Sequence, residues 1–213
     1  MRLAIMTAAV IAASSAAAQT PEKISKTYPL ADFSQVVVEG VYDVEIEVGP
    51  QWSVSISGDA AAMARSKVSV SNGALVLATE KRERGEKRRD KHSVTAIVTM
   101  PALDGVEIKG VGDVEARGID ASAFSVKLAG VGDIDLAGRC EGITVELAGV
   151  GDVDAEKLEC RSARARLAGV GDVAVFASKE ANAEVAGIGS IDIYGSPEKV
   201  AKQKSFLSDI TVH

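Results

Sequence analysis

Five times along the chain a valine or isoleucine stands between two glycines: GVGD at 110–113, 130–133, 149–152 and 169–172, then GIGS at 187–190. The first glycines of these units are 20, 19, 20 and 18 residues apart. A unit this short cannot bury a core alone and must stack on its neighbours, which makes it one coil of a solenoid. Between the corners the residues alternate, as in SVKLAG, TVELAG and ARLAG, and again in DIDLAG and DVDAE. Alternation with period two means strands with one buried face. The expected architecture is all-β, a parallel β-helix with coils of about 18–20 residues. Residues 205–210, SFLSDI, align with AGIGSI at 186–191 and read as a degenerate last coil.

Stacking turns equivalent positions into columns. Three residues before the corner glycines stand Glu107, Lys127, Glu146, Arg166 and Glu184, alternating in sign from coil to coil. At the roughly 4.8 Å spacing of adjacent strands this arrangement favours one register over its neighbours. Each exposed pair contributes under about 1 kcal/mol, so the column sets register more than stability. Val126, Val145, Ala165 and Ala183, with Leu128, Leu147, Leu167 and Val185, are expected in the core.

The two cysteines, Cys140 and Cys160, each precede a corner glycine by nine residues and so share a column in adjacent coils. That spacing falls within the Cα window of a disulfide; a buried pair of free thiols is the alternative.

The first eighteen residues, MRLAIMTAAVIAASSAAA, place one arginine ahead of a short apolar run ending in small residues, the pattern of a secretory signal peptide. No later stretch approaches the roughly 20 apolar residues of a membrane span, so no transmembrane segment is expected in the mature chain. The expected division is a signal peptide at 1–18, a linker at 19–29 and one solenoid domain at 30–213. Within that domain 30–105 is less regular and includes a hairpin with a charged loop at 80–92, while 106–213 holds the regular coils and a C-terminal cap. Periplasm or exterior is the expected address, where a disulfide can persist.

Loss of Arg2 takes the formal charge from −6 to −7, which argues against nucleic acid as a partner. The segment 81–91, KRERGEKRRDK, carries seven bases against three acids and reads as a solvated loop or a basic finger for anionic polymer or lipid.

The tandem corners, preceded by FSQVVVEGVYDVEIEVG (33–49), VSISG (54–58), GALVLA (73–78) and VTAIVTMPALDGVEIKGVGDV (94–114), resemble the head GIN domain family of auto-transporter adhesins. The resemblance spans about residue 28 to the end. It implies an exported, right-handed parallel β-helix without an established activity. This chain has Ala-Gly-Val-Gly-Asp where the family commonly has Ser-Gly-Ser-Gly before Asp or Asn, and no outer-membrane barrel is expected from these residues.

The corner itself admits several uses. Glycine tolerates positive φ and tight bends, and Asp at a turn accepts hydrogen bonds from nearby amides. Two acidic columns, Asp113, Asp133, Asp152 and Asp172 beside Glu115, Asp135 and Asp154, with Asp192 further on, stack like charges that need an offset. Turn amides can supply it. Ca²⁺, which takes six to eight oxygens, is the one cofactor the pattern allows. Continued alternation places Val111, Val131, Val150, Val170 and Ile188 outside, with Ala129, Ala148, Ala168 and Ala186 alongside; a local twist would instead turn the valines into the core.

Catalysis has little material. His92 lies in the charged segment, His213 is the last residue, and the carboxylates repeat alike along the coils, whereas an acid–base pair needs unlike surroundings. Trp52, Phe124, Phe176 and Tyr194 are expected in core or edge packing. The expected function is a non-catalytic binding or scaffold module at the envelope, self-associating or holding an extended envelope polymer. A Ca²⁺-stabilised glycan-adhesive module is the alternative, and a degenerate polysaccharide-active enzyme the third.

Overall fold

The computed structural model describes residues 23–80, 94–205 and 208–213. The expected signal segment, residues 19–22 of the expected linker and the charged segment with His92 lie outside the described residues. The chain begins with β1 (Ile24–Tyr28), β2 (Gln35–Val38), β3 (Tyr42–Val48) and β4 (Ser53–Gly58), followed by a short helix α1 (Ala60–Arg65), β5 (Ser66–Ser71) and β6 (Ala74–Thr79). Then come β7 (Val94–Met100), β8 (Gly105–Ile108) and three long strands, β9 (Val114–Leu128), β10 (Ile134–Leu147) and β11 (Val153–Leu167). The last elements are β12 (Val173–Phe176), β13 (Glu180–Val185), β14 (Gly189–Tyr194), β15 (Lys199–Lys204) and β16 (Ser208–Val212). With 69% strand and 3% helix, the chain forms a β-solenoid of about five turns.

Repeat spacing and strand register agree. Leu128, Leu147, Leu167 and Val185 form one buried column, and Val126, Val145, Ala165 and Ala183 another. The charged positions pair in the expected order, Glu107 with Lys127, Lys127 with Glu146, Glu146 with Arg166 and Arg166 with Glu184. Arg166 and Glu184 approach to 2.8 Å. The coil that opens at Gly130 is one residue shorter than its neighbours, and the deficit is absorbed by register shifts near Leu136. Beyond them Cys140 again faces Cys160, with Cα atoms 4.5 Å apart and a disulfide between them.

The N-terminal third departs from the expectation. The first coil is β2, a corner at Val41, and β3, stacked on β8 and β9 through Val36–Val106, Val41–Val111 and Val44–Val114. The residues between these two coils, together with β1 ahead of them, build an end layer. On one side β7 lies parallel to β3, followed by antiparallel β4 and β1; on the other β6 lies parallel to β2, followed by antiparallel β5. Two expectations need correction. The strands flanking the charged segment are not hairpin partners, because β6 and β7 are drawn to opposite sides of the first coil. Residues 24–28, expected in a linker, form the edge strand β1 on β4.

The C-terminal end is closed by charge. Lys202 and Lys204 continue the buried columns of Ala183 and Val185. The Lys202 ammonium donates to the Ile210 carbonyl at 3.0 Å, and Lys204 pairs with Asp209 at 2.8 Å. Lysine on an open sheet edge discourages further strand pairing.

Candidate functional site

Both glycines of each corner are demanded by the stack. A Cβ on Gly130 would lie 2.0 Å from the carbonyl oxygen of Gly110. A Cβ on Gly132 would meet the Gly112 oxygen at the same distance, and Gly132 also has φ +145°. Only the second glycine therefore needs the left-handed backbone; the first is there because the coil below leaves no room. Between them the Val131 amide donates to Gly110 at 3.0 Å, and the Gly132 amide donates to Val150 at 3.1 Å. With its main chain locked to both neighbouring coils, the valine can direct its side chain only outward.

Val111, Val131, Val150 and Val170 are 46–50% exposed and Ile188 58%, and all are bridged coil to coil. Val41 extends the column by one coil and is 40% exposed. The sequence reading missed it, although EGVYDVEIEV at 39–48 parallels KGVGDVEARG at 109–118. Ala129, Ala148, Ala168 and Ala186 lie exposed alongside.

On the other flank the first acidic column is a hydrogen-bonded ladder. Asp133 donates its amide to Oδ1 of Asp113 at 3.0 Å, Asp152 to Asp133 at 2.9 Å, and Asp172 to Asp152 at 2.8 Å. Ser190 ends the ladder by donating both its amide and its hydroxyl to Asp172. The next column out runs Glu45, Glu115, Asp135, Asp154, Ala174 and Asp192 in register. Partial burial pushes the Asp135 carboxyl up from the usual range, and the charges of Asp154, Glu115 and Asp133 add to the rise. Arg117 pairs with Glu115 from the side. Among the described residues no three carboxylate, imidazole or thiol groups converge on a common point as a metal centre would require.

The remaining singled-out residues are dispersed. Phe124 is buried, while Phe176 and Tyr194 are half-buried. Trp52 is exposed and donates its indole N–H to the Phe33 carbonyl at 3.4 Å. It stands just before β4, in the end layer rather than within the coils. His213 stacks on Tyr194 with ring centroids 4.6 Å apart and lies 2.9 Å from Asp192. This is one imidazole and one carboxylate at the C-terminal end of the solenoid, where Asp192 is the last member of the outer acidic column. Among the described helices none is long and apolar enough to cross a membrane.

A solved structure of a "putative adhesin" from Bacteroides fragilis superposes with a TM-score of 0.72 at 23% identity, covering 91% of this chain and 98% of that one. A "putative adhesin" from Parabacteroides merdae matches with a TM-score of 0.45 at 14% identity, covering 90% of this chain and 96% of that one. A "putative lipid binding protein" from Parabacteroides distasonis matches with a TM-score of 0.44 at 16% identity, covering 88% and 96%. No curated protein gives a significant match. The family model described as "Putative auto-transporter adhesin, head GIN domain" matches residues 32–197, from the first coil to the last GIGS corner and beyond. With most of its length inside that match, the chain belongs to the head GIN domain family.

Proposed function

We propose that this protein is an exported, non-catalytic binding module of the cell envelope, adhesin-like, and that its contact surface is the corner stripe. The observation that carries the reading is the stripe itself, six aliphatic side chains in one column, each 40–58% exposed. Single exposed apolar residues need no explanation. A row in register over six successive corners does, because the corner backbone holds every one of them in water. Five steps of about 4.8 Å make it roughly 24 Å long. Its area, on the order of 300–500 Å², matches the largest apolar patch of an ordinary monomer, which is often a functional one.

The family and the Bacteroides fragilis structure carry adhesin names, which agrees with a binding role. The apolar leader and the disulfide favour an oxidising compartment outside the cytoplasm. A non-catalytic role is favoured by the sameness of the carboxylates, which repeat from coil to coil in like surroundings. The partner this reading favours is an extended envelope polymer laid along the coils. The test is retention of envelope fragments on beads bearing the protein or its Val131→Ser, Val150→Ser, Val170→Ser variant. Retention by the first and loss by the second supports the reading; equal retention by both refutes the stripe as the contact surface.

A further inference from the structure

The two flanks of the stripe differ in charge. One side carries the small, neutral side chains of Ala129, Ala148, Ala168 and Ala186. The other carries two carboxylate columns, Asp113 to Asp172 and then Glu45 to Asp192, and neither contains a basic residue. Along the ladder each Asp uses Oδ1 to hold the next coil, and among the described residues Oδ2 accepts no hydrogen bond. The surface is therefore amphipathic across its width, and the outer column is tempered by Arg117 beside Glu115, Ala174 within it and His213 beside Asp192.

The apolar part does not choose a partner by itself. Apolar burial is non-directional, and much of what roughly 300–500 Å² on each partner yields at about 25 cal/mol per Å² goes to the association cost, so charge must decide which partner is held. Anionic partners are repelled. A second copy would have to desolvate these carboxylates without bringing cations in these columns to meet them, and the whole chain is itself acidic at −6.

We infer that the stripe holds a cationic amphipathic polypeptide laid along the solenoid axis, apolar side chains on the Val41–Ile188 column and basic side chains on the carboxylate columns beside it. This rests on the reading of the stripe as contact surface. A length near 24 Å accommodates about 16 residues of α-helix at 1.5 Å each. Such a ligand supplies an apolar face for the valines and ammonium or guanidinium donors for the free carboxylate oxygens.

The test uses three synthetic peptides of equal length on one helical pattern, Leu/Lys, Leu/Glu and Ser/Lys, with binding read by fluorescence anisotropy. The Leu/Lys peptide is expected to bind about tenfold or more tightly than either control, and to weaken severalfold as salt rises from about 50 to 300 mM. The Val131→Ser, Val150→Ser, Val170→Ser variant and a Glu115→Gln, Asp135→Asn, Asp154→Asn variant should each lose most of that affinity while melting close to the parent. The second set spares the ladder, so its loss reports charge rather than folding. Equal binding of the Leu/Lys and Leu/Glu peptides, or binding indifferent to both variants, overturns the inference. If beads retain envelope fragments through the valines but the Leu/Lys peptide neither binds nor displaces them, the contact surface stands and its cationic occupant falls.

Discussion

The backbone amide of Asp152 donates to Oδ1 of Asp133 across 2.9 Å, so a carboxylate on one coil is held by the main chain of the next. The ladder gives the repeated Asp a structural task, and its removal should be measurable. Asp133→Ala with Asp152→Ala is expected to cost about 1–3 kcal/mol in urea unfolding, at about 0.5–1.5 kcal/mol for each lost hydrogen bond. Asn, which keeps a carbonyl acceptor, should cost less than Ala at both positions. Millimolar Ca²⁺ should leave the parent's melting temperature within about 1 °C, because one oxygen of each Asp is already engaged and a Ca²⁺ site needs six to eight donors. A fold sensitive to EDTA would contradict this assignment.

The Cys140–Cys160 disulfide clips two adjacent coils across a separation of 20 residues. Thiol titration of the denatured, unreduced protein should find no reactive group. Reduction is expected to lower stability by about 2–4 kcal/mol, the usual gain from closing a loop of that size. Two titratable thiols per chain would show that the bridge does not form.

Much of the regular region was legible because the period is written in the sequence: once coils are about 20 residues, register, the Leu and Val core columns, the alternating charges and the cysteine pair all follow. The end layer was not. Period-two alternation identifies β7 as a strand but says nothing of its neighbours, and its place between β3 and β4 depends on contacts distant in sequence. The Val41 corner was hidden by one substitution, Tyr42 where the later corners have glycine. Its coil faces the end layer rather than another glycine corner, so a ring fits there, buried, with its hydroxyl donating to the Ala78 carbonyl at 2.8 Å. The helix α1 had a signal that was overlooked, Asp59 ahead of an alanine run, and Asp59 does cap it through the amides of Ala61 and Ala62.

Lys202 and Lys204 stand in register with the core positions Ala183 and Val185. Their charge should be what stops coils of a second molecule from stacking on the end. Lys202→Val with Lys204→Leu is therefore expected to produce concentration-dependent association in light scattering, under conditions where the parent does not associate. An unchanged scattering profile would show that the end is blocked by other means.

Asp135 supplies the pH test. Its carboxyl titrates above its unfolded value, so the folded state holds the proton more tightly. The stabilisation is complete below the unfolded value, near pH 4, and is lost as pH rises through the folded value. At neutral pH the ionised Asp135 is a small liability, and Asp135→Asn should raise the melting temperature by about 1–2 °C, a modest gain because the group is exposed. The difference between variant and parent should vanish by about pH 3. A variant less stable than its parent at neutral pH would reverse the sign and exclude charge crowding as the cause.

Whether the corner column belongs to the surface is tested most directly by the thermal melting of the Val131→Ser, Val150→Ser, Val170→Ser variant. Side chains half in water lose little when made polar, so the variant is expected to melt within about 2 °C of the parent, with the same far-UV circular dichroism. Three buried valines replaced by serine would cost several kcal/mol in cavities and unsatisfied hydroxyls. A fall of about 10 °C or more would place these side chains in the core and leave the corner with no surface to offer a partner.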